Sequence, residues 1–452
     1  MSAAYALKQT VVFPRTWCLY DANMIDAVTL TSELIRIDTT NRGSGDCRER
    51  PAAEYIAERL GEVGLEALLL ESAPGRANVV ARIPGSQPAL PALLVHGHLD
   101  VVPAEASDWT VPPFSGEVAG GVVWGRGALD MKSMDAMMLA VARAWQRDGR
   151  RPARDVVLAF TADEEDTGAY GAGWLVGHHP ELFEGCTEAI GESGGYSVHA
   201  GPPSGEAVRI YPVATAERGT AWLRLVARGR AGHGSQPNRE NAVARLAAAV
   251  ARIDGYTWPV RLTPTVRAAL LGISEALGVR CDPATVAALG PAGALVQATL
   301  ANSANPTMLE AGYKINVVPE EAVAYVDGRV LPGFEDEFRS TLDELTGPFV
   351  SWRPVHWASP LEAPCDAPIF TAMRDALLAE DPEAHVVPSC MSGGTDAKHF
   401  ARLGIACYGY TPLALPPGYD YQTMIHAADE RVPVEALRFG TRVLDRFLLA
   451  VC

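Results

Sequence analysis

The sequence lacks the patterns of disulfide-bonded, thiolate-zinc and membrane-spanning proteins. Its eight cysteines are scattered and form no CxxC pair, which argues against a thiolate zinc site and against a disulfide framework. No apolar run approaches the length that spans a membrane, and the N-terminal segment lacks the charged-then-apolar order of a secretory signal. We therefore expect a protein of the reducing cytoplasm with no membrane partner.

The sequence also contains few basic residues compared with acidic ones. The chain has 38 Lys and Arg against 54 Asp and Glu, which gives a formal net charge of -16. Phosphate contacts need clustered basic residues, so we expect no nucleic acid partner. The 48% of hydrophobic residues indicates a folded chain, and 452 residues exceed what one core usually supports. Two domains are the default expectation.

The larger predicted domain combines strands and helices. Apolar, β-prone runs at 67–70, 78–83, 93–96, 155–161 and 187–190 alternate with helical patterns. This alternation predicts an α/β fold, with a mainly parallel sheet covered by helices on both faces. We expect it to be built from residues 24–212 and 359–452. Residues 1–23 show no periodicity, so they are either a disordered N-terminal extension or a segment that precedes a true start at Met24.

A second pattern interrupts this domain at residues 213–358. Strands at 220–226, 312–317, 322–329 and 349–357 and helices at 240–253 and 335–345 give the order βαββαβ. That order is typical of a small α+β domain. Residues 256–297 carry few periodic signals and are expected to form an insertion within it.

Imidazoles and carboxylates follow directly after several predicted strands. The candidates are His98, Glu164, Glu165 and Glu192 at strand ends, Asp130 in a glycine-rich loop before a helix, and His426 late in the chain. Ligands gather outside the carboxyl ends of parallel strands, so we expect these side chains to meet. Oxygen and imidazole ligands suit zinc, cobalt or manganese, and the number of carboxylates indicates two ions bridged by Asp130.

Two details stay open at this point. His96, His98 and Asp100 project to one side of an extended chain, so either imidazole could bind a metal beside an orienting carboxylate, and a polar strand end is the alternative. One member of the Glu164–Glu165 pair could bind a metal while the other takes a proton from water. Adjacent glutamates on a solvated surface are the alternative there.

Seven strings resemble one enzyme family. They are HGHLDVVP (96–103), GRGALDMKS (125–133), TADEE (161–165), GES (191–193), AGHGSQPNRENA (231–242), GGTDA (393–397) and HAADE (426–430). They occur in the order of the co-catalytic zinc family that contains acetylornithine deacetylase, succinyl-diaminopimelate desuccinylase, aminoacylase-1, carboxypeptidase S and bacterial glutamate carboxypeptidase. The resemblance covers about residues 24–452.

The resemblance implies a zinc-exopeptidase-like fold and a role for each matching residue. The implied metal ligands are His98 and Glu192 for one ion, Glu165 and His426 for the other, with Asp130 bridging. The implied catalytic residues are Glu164 as general base, Asp100 orienting His98, and His233 stabilising the oxyanion from a partner subunit. The implied substrate-binding residues are Asn316, Arg329, Gly394 and Thr395. His96 is then structural. A homodimer formed through the small lid domain is a further implication.

The expected activity is hydrolysis of an amide bond. The substrate would be a small N-acyl amino acid or a short peptide with a free carboxylate, as for an aminoacylase, a deacylase or a carboxypeptidase. Two divalent ions, zinc foremost and cobalt or manganese as alternatives, would be the cofactors. A dipeptidase or aminopeptidase that recognises a free amine is the alternative. The complete set of ligands and base disfavours a non-catalytic metal-binding scaffold.

Overall fold

The computed structural model describes residues 27–43, 47–201 and 207–452. The expected N-terminal extension, residues 1–23, and the alternative start at Met24 lie outside these described residues. Within them, no helix combines the length and the apolar character that crossing a membrane requires.

The described residues form nineteen strands and twelve helices. The strands are β1 (Ala67–Ala73), β2 (Arg76–Ile83), β3 (Ala92–His98), β4 (Val118–Ala119), β5 (Val122–Trp124), β6 (Val156–Thr161), β7 (Cys186–Gly191), β8 (Val198–Ala200), β9 (Val208–Glu217), β10 (Gly219–Arg228), β11 (Gly232–His233), β12 (Ser303–Ala311), β13 (Val317–Val318), β14 (Glu321–Val330), β15 (Val350–Ala358), β16 (Leu361–Glu362), β17 (His385–Met391), β18 (Ala406–Gly409) and β19 (Arg431–Pro433). The helices are α1 (27–35), α2 (Arg50–Gly61), α3 (Lys132–Asp148), α4 (Ala172–His178), α5 (Ala242–Asp254), α6 (Pro264–Leu277), α7 (Gly290–Gln297), α8 (Glu335–Thr346), α9 (Pro368–Glu380), α10 (Ala397–Phe400), α11 (Tyr421–Met424) and α12 (Val434–Val451).

The larger sheet has ten strands and a parallel centre. Its order is β1-β2-β6-β3-β7-β18-β9-β16, with β8 and β17 also paired to β9. Strands β6, β3, β7 and β18 run parallel to one another, and antiparallel pairs flank them. The carboxyl ends of the parallel strands therefore meet at one edge of the sheet.

Two cores explain why both faces of β3 are apolar over its first four residues. Side chains alternate along a strand, so Leu93 and Val95 of β3 join the core formed with α1, α2, α3, α9 and α12. Leu94 joins the opposite core, which contains residues of α4 and α10. The predicted α/β fold, with a mainly parallel sheet and helices on both faces, is confirmed.

The smaller sheet has the order β12-β14-β10-β15, and all its neighbours are antiparallel. Helices α5 and α8 pack on it and share one hydrophobic core with it. The expected βαββαβ order is present, but the strand predicted at 312–317 is wrong. The observed strand is β12, and the chain leaves it at Gly312, whose φ of 70° is a left-handed conformation that favours glycine.

The packing of the segment predicted to be an insertion in the small domain also differs from expectation. Helix α6 is capped by Thr263, whose hydroxyl accepts a hydrogen bond from the backbone N–H of Val266, and it begins with Pro264. Side chains of α6 and α7 form a core with Ile210 of β9 and Val387 of β17. These helices therefore cover the larger sheet.

The chain passes between the two sheets at two neighbouring points. Strand β9 ends at Glu217 in the larger sheet, and β10 begins at Gly219 in the smaller one. The return lies between Ala358 and Leu361. Both crossings lie within a few residues of the predicted domain boundaries at 212 and 358. The division into domains itself stays a prediction.

Candidate active site

His98 stands at the end of β3, beside the end of β6. Its side chain is 1% exposed, and its Nδ1 lies 2.9 Å from the backbone oxygen of Asp100. A carbonyl can only accept a hydrogen bond, so we assign the proton to Nδ1 and leave Nε2 as the free ligand atom of the neutral ring. Nε2 lies 3.0 Å from Asp130 Oδ1 and 2.9 Å from Glu192 Oε2.

Asp130 stands between two imidazoles. While its Oδ1 faces His98, its Oδ2 lies 3.1 Å from Nε2 of His426. That same Nε2 is 3.2 Å from Oε2 of Glu165. The carboxylate of Asp130 thus has a histidine and a glutamate on each side.

Asp100 holds the turn that carries the glutamate pair. Its Oδ1 accepts a hydrogen bond from the backbone N–H of Glu164, and its Oδ2 accepts one from Glu165, each at 3.1 Å. The carboxylate is 3.6 Å from His98 Nδ1, farther than the backbone oxygen of the same residue. The ring of His98 is therefore oriented chiefly by a carbonyl, and the side chain of Asp100 positions the acid pair.

Asp163 completes this turn, and the sequence reasoning did not single it out. It has a φ of 67°, and its Oδ1 accepts hydrogen bonds from Arg76 at 2.7 Å and Asn41 at 3.3 Å. Asn41 also donates to Asp100 at 2.9 Å. Arg76 and Asn41 lie outside the recognised strings, and no local spacing connects them to the acid cluster.

Glu430 fixes the loop that carries Asp130 by accepting backbone hydrogen bonds, as Asp100 does for the turn that carries the two glutamates. Its Oε1 accepts hydrogen bonds from the backbone N–H groups of Leu129 and Asp130 at 2.7 and 3.2 Å. Its Oε2 accepts one from Gly127 at 3.1 Å and one from the guanidinium of Arg126 at 2.6 Å. The string HAADE contains the signal for this residue, but only its histidine was interpreted.

Unfavourable backbone conformations cluster at the site. Among the described residues, the non-glycine residues with positive φ are Asp163, Ser193, His426 and Asp429. Each is one of the candidate ligands or lies within four positions of one along the chain. Such conformations persist where surrounding contacts hold them, and they concentrate at functional sites.

Burial and mutual repulsion shift the proton affinities of these groups. Burial, followed by the charge of Asp130, raises the pKa of Glu165 to about 8. Burial also raises the pKa of Glu192 well above its ordinary range. Hydrogen bonds with Asp130 and Glu165 raise the pKa of His426 to about 10. In the protein alone, protons on these groups thus offset the crowding of the carboxylates.

The imidazole nitrogens and carboxylate oxygens of this cluster suit divalent cations, which would replace those protons. Ligand atoms of His98, Glu164 and Glu192 lie within 4.8 Å of one another, as do those of His98, Asp130 and Glu165. Two ligands of a tetrahedral zinc at about 2.0–2.1 Å stand roughly 3.3 Å apart, close to the observed separations. Buried Oε1 of Glu165 has no hydrogen-bond partner among the described residues. This is a candidate site for two metal ions.

Two predicted residues lie apart from this cluster. His233 is exposed, its Nδ1 is 2.9 Å from the hydroxyl of Ser235, and its strand β11 pairs with β13. Asn316 is exposed next to it, and its backbone oxygen accepts a hydrogen bond from the N–H of Gly234 at 2.9 Å. Within the described part of one chain, neither side chain forms an ion pair or a hydrogen bond with the acid cluster.

Arg329 already has partners. Its Nε and Nη2 donate to the two oxygens of Asp327 at 2.8 and 3.0 Å, and its Nη1 donates to the hydroxyl of Thr220 at 3.2 Å. The guanidinium fork that was expected to take a substrate carboxylate is thus occupied by a carboxylate of the protein.

The loop at Gly394 and Thr395 lies where the chain crosses between the sheets. The hydroxyl of Thr395 donates to Oε1 of Glu217 at 2.6 Å, and its backbone N–H donates to Oε2 at 3.0 Å. Three residues later, Lys398 brings its ammonium within 4.0 Å of Oε1 of Glu164. Sequence reasoning missed this lysine, although it directly follows the string GGTDA.

His96 lies beneath the site. It is 2% exposed, its ring packs against Phe400 at 4.9 Å between centroids, and burial lowers its pKa to about 3. Among the described residues its Nε2 has no hydrogen-bond partner. A neutral, packed imidazole agrees with the structural interpretation.

Comparisons with known proteins agree with this geometry. Residues 94–450 match the family described as Peptidase family M20/M25/M40. Aminoacylase-1 of Sus scrofa is 27% identical over 437 residues, covering 94% of this chain and 95% of that protein. An N-fatty-acyl-amino acid synthase/hydrolase of Xenopus tropicalis is 28% identical, covering 86% of this chain and 78% of that protein.

A solved structure shows the same fold. An M20 family metallo-carboxypeptidase from Sulfolobus solfataricus superposes with a TM-score of 0.70 at 18% identity, covering 94% of this chain and 98% of the other. A di-peptidase from Saccharomyces cerevisiae gives a TM-score of 0.68 at 17% identity, with 96% and 97% coverage. The expected zinc-exopeptidase-like architecture is thus confirmed as the fold of M20 metallopeptidases.

Glu430 gives a direct test of how the Asp130 loop is held. Replacing Glu430 with Ala leaves three backbone N–H groups and the buried guanidinium of Arg126 without their acceptor, so we expect a loss of about 3–5 kcal/mol in the free energy of unfolding. Urea denaturation measures it. Glu435→Ala is the control, because that side chain is 80% exposed. Equal stability of the two variants would contradict the role of Glu430.

Proposed function

The chain belongs to peptidase family M20/M25/M40, and from that premise we propose that it is a metal-dependent hydrolase cleaving the amide bond of a small N-acyl amino acid or short peptide with a free carboxylate. The observation that carries the proposal is the carboxylate of Asp130, which lies between two histidine–glutamate pairs with Glu164 beside them. Similarity to aminoacylase-1 over 94% of the chain supports an acylated amino acid as the substrate.

Five side chains are the proposed ligands of two divalent ions. His98 and Glu192 would hold one ion, Glu165 and His426 the other, and Asp130 would be the ligand that the two ions share. Zinc is the proposed metal, with cobalt or manganese as alternatives, because all three accept mixed oxygen and imidazole ligands. When bound, the ions polarise the substrate carbonyl and make water more acidic.

Glu164 is the proposed general base. Among the described residues it differs from Glu165 in having no imidazole within ion-pair distance, and its backbone N–H donates a hydrogen bond to Asp100. Its carboxylate is therefore available to take the proton from the attacking water. The same carboxyl then returns the proton to the leaving nitrogen, which completes amide hydrolysis.

The free-amine alternative is less compatible with the local charge. A dipeptidase or aminopeptidase must accept a substrate ammonium close to the scissile bond. The ammonium of Lys398, 4.0 Å from Glu164, would repel such a group. The positive charge beside the base favours a substrate that carries its charge as a carboxylate.

His233 is proposed to act in the site of a second copy of the chain, as the donor that stabilises the oxyanion. This would explain why it is exposed and apart from the acid cluster of its own chain. A homodimer through the small sheet is supported by its edge strand β12, which exposes Met308 and Leu309 by 53% and 63%. Asn316 would act beside His233, and Gly394 and Thr395 would contact the substrate from the chain that holds the metal ligands. Arg329 would join them by exchanging Asp327 for the substrate carboxylate.

A cytoplasmic location and the division into domains complete the proposal. All cysteines in the described ranges are free, which suits a reducing compartment. The larger sheet would be the catalytic domain, and residues 213–358 would contribute the small lid sheet.

Removal of metal is the first test of this proposal. Chelation should abolish amide hydrolysis and lower the melting temperature, because the carboxylates then repel one another without an intervening cation. Returning zinc at 100 times its Kd should restore about 2.7 kcal/mol of stability per site. Calorimetry with and without added ion measures the shift. A chelated protein with unchanged activity would contradict the metal dependence.

Glu164→Gln is the second test. The amide cannot take a proton from water, so kcat should fall by a factor of about 100 to 10,000, while both metal ions remain bound. Elemental analysis of the purified variant measures the metal content. Asp166→Asn is the matched control, since Asp166 is an exposed acid in the same turn. A kcat near that of the control would exclude Glu164 as the base.

Mixing variants tests the shared site. His233→Ala and Glu164→Gln should each be nearly inactive alone, because each lacks one of the two residues in every site. If His233 acts across subunits, a mixed dimer contains one intact site, so co-refolded equal mixtures should recover about a quarter of wild-type activity. Recovery no greater than the sum of the separate variants would contradict the shared site.

A further inference from the structure

The small sheet carries an accessible indole on the face opposite its helices. Side chains alternate along β10, so Ala221 and Leu223 join the core beneath α5 and α8. Trp222 lies between them in the chain and points to the opposite face, which we call the open face. It is 37% exposed. A large aromatic surface is thus left uncovered at this point of the sheet.

His356 of β15 stands beside Trp222 on the open face. The two residues are opposite each other in the register, and their ring centroids are 5.0 Å apart with an angle of 45° between the ring planes. Burial, followed by the positive charge of Lys398, lowers the pKa of His356, so its imidazole is uncharged at neutral pH. Trp222 and His356, the ring pair, therefore present two neighbouring uncharged rings.

The open face meets the candidate active site at Thr220. This residue lies two positions before Trp222 on β10, and a Cβ placed on Gly394 would lie 4.0 Å from its hydroxyl oxygen. The segment that begins at Gly394 leads to Lys398, whose ammonium is 4.0 Å from Oε1 of Glu164. The charge of Lys398 also acts on the imidazole of the ring pair. The ring pair therefore borders the space between the small sheet and Glu164.

We propose that Trp222 and His356 form the subsite for the side chain of the amino acid that carries the free carboxylate, so that the enzyme prefers N-acyl amino acids with an aromatic side chain. This inference rests on the proposed amide hydrolase function and names the class of substrate within it.

The register indicates which part of the substrate meets the rings. Arg329, which is proposed to take the substrate carboxylate, donates to the hydroxyl of Thr220 at 3.2 Å. Trp222 is the next residue of β10 on the same face, and residues two apart on a strand are separated by about 6.6 Å. A benzyl side chain leaves the same Cα as the carboxylate and extends roughly 5 Å from it. It can therefore contact the ring pair while Arg329 holds the carboxylate.

The acyl group has a different position. It lies beyond the scissile bond, and so further from the carboxylate and from Arg329. An aromatic side chain on the amino acid, and not one on the acyl group, would therefore gain the edge-to-face or offset contacts that aromatic rings favour.

Other roles for the ring pair make different predictions. If the contact between Trp222 and His356 only stabilises the small sheet, its loss affects every substrate alike. If the rings contact the acyl group, their loss affects substrates that differ in that group. If they bind the amino acid side chain, their loss affects substrates that differ there.

The experiment compares three probes: N-acetylalanine, N-acetylphenylalanine and N-phenylacetylalanine. The second carries an added phenyl group on the amino acid, and the third carries it on the acyl group. The metal-loaded wild type, Trp222→Ala, Trp222→Phe and His356→Ala are assayed on all three. Metal content and melting temperature are measured for each variant, and several replacements are used so that a folding defect of one does not decide the result.

Tyr325→Ala is the matched control. Tyr325 is opposite Arg224 in the register, so it is an aromatic residue of the same open face. It is four positions from Arg329 along β14, which places it about 13 Å away, beyond the reach of a side chain whose carboxylate is bound there.

We expect the wild type to prefer N-acetylphenylalanine over N-acetylalanine by at least about 10-fold in kcat/KM. Trp222→Ala should reduce this ratio by about 3- to 12-fold, the range of one aromatic contact. His356→Ala should reduce it in the same direction, and Trp222→Phe should keep most of it. The ratio of N-phenylacetylalanine to N-acetylalanine should change by less than about twofold in every variant. Tyr325→Ala should keep both wild-type ratios.

The remaining outcomes separate the two levels of the argument. The subsite is overturned, and the amide hydrolase proposal left intact, if the wild type does not prefer N-acetylphenylalanine or if Trp222→Ala keeps the wild-type ratios. An equal loss on all three probes, or a change confined to N-phenylacetylalanine, overturns the subsite in the same way. A metal-loaded wild type that cleaves none of the probes, nor any other N-acyl amino acid or peptide with a free carboxylate, overturns the proposed function and this inference with it.

Discussion

The candidate site depends on holding like charges together. Asp130, Glu164, Glu165 and Glu192 lie within a few ångströms of two histidines, and bare carboxylates in a buried setting repel one another strongly. Two other buried carboxylates, Asp100 and Glu430, counter this repulsion by fixing the backbone. They accept hydrogen bonds from the N–H groups of Glu164, Glu165, Leu129 and Asp130. The acids are held near one another by their own main chain before any cation arrives.

The larger sheet brings the polar residues of the site together through the ends of its parallel strands. Strands β3 and β6 are buried along their whole length, and β7 is buried over its last three residues, so acidic groups are excluded there until the strands end. Their ends lie side by side, with His98 opposite Thr161 in the register. The first polar residues after these strands consequently meet at one place. The loop before α3 and the segment containing His426 close over it, and both are tied down by Glu430 and Arg126.

The rule of parallel strand ends explains why much of the site could be predicted from the sequence. His98, Glu164, Glu165 and Glu192 needed only the recognition of strands and the expectation that those strands are parallel. The supporting residues needed contacts between distant parts of the chain: Glu430 is 300 residues from Asp130, and Arg76 is 87 from Asp163. Such pairings have no periodicity, so a single sequence cannot reveal them.

The errors in the fold prediction have physical causes as well. Strand β12 contains Asn305 and Pro306 and exposes most of its side chains, so it lacks the apolar alternation of a strand. It tolerates proline because it is an edge strand. The apolar residues of 312–317, which attracted the prediction, include Tyr313 and Ile315, exposed by 84% and 104%. The apolar side chains of this segment therefore lie on the surface of the chain and contribute to no core.

The two halves of the candidate site, one around His98 and one around His426, differ in their exposure to solvent. His98 is 1% exposed, whereas His426 is 48% exposed and stands at a backbone position with a φ of 63°. A rigid strand end thus fixes one side, and a strained loop at the surface forms the other. Glu164 belongs to the buried half, because its ligand atom lies within 4.8 Å of those of His98 and Glu192, and low local polarity there strengthens its electrostatic interactions. Of the two histidines, His426 is therefore the one that solvent reaches, and His98 is the one that the sheet fixes.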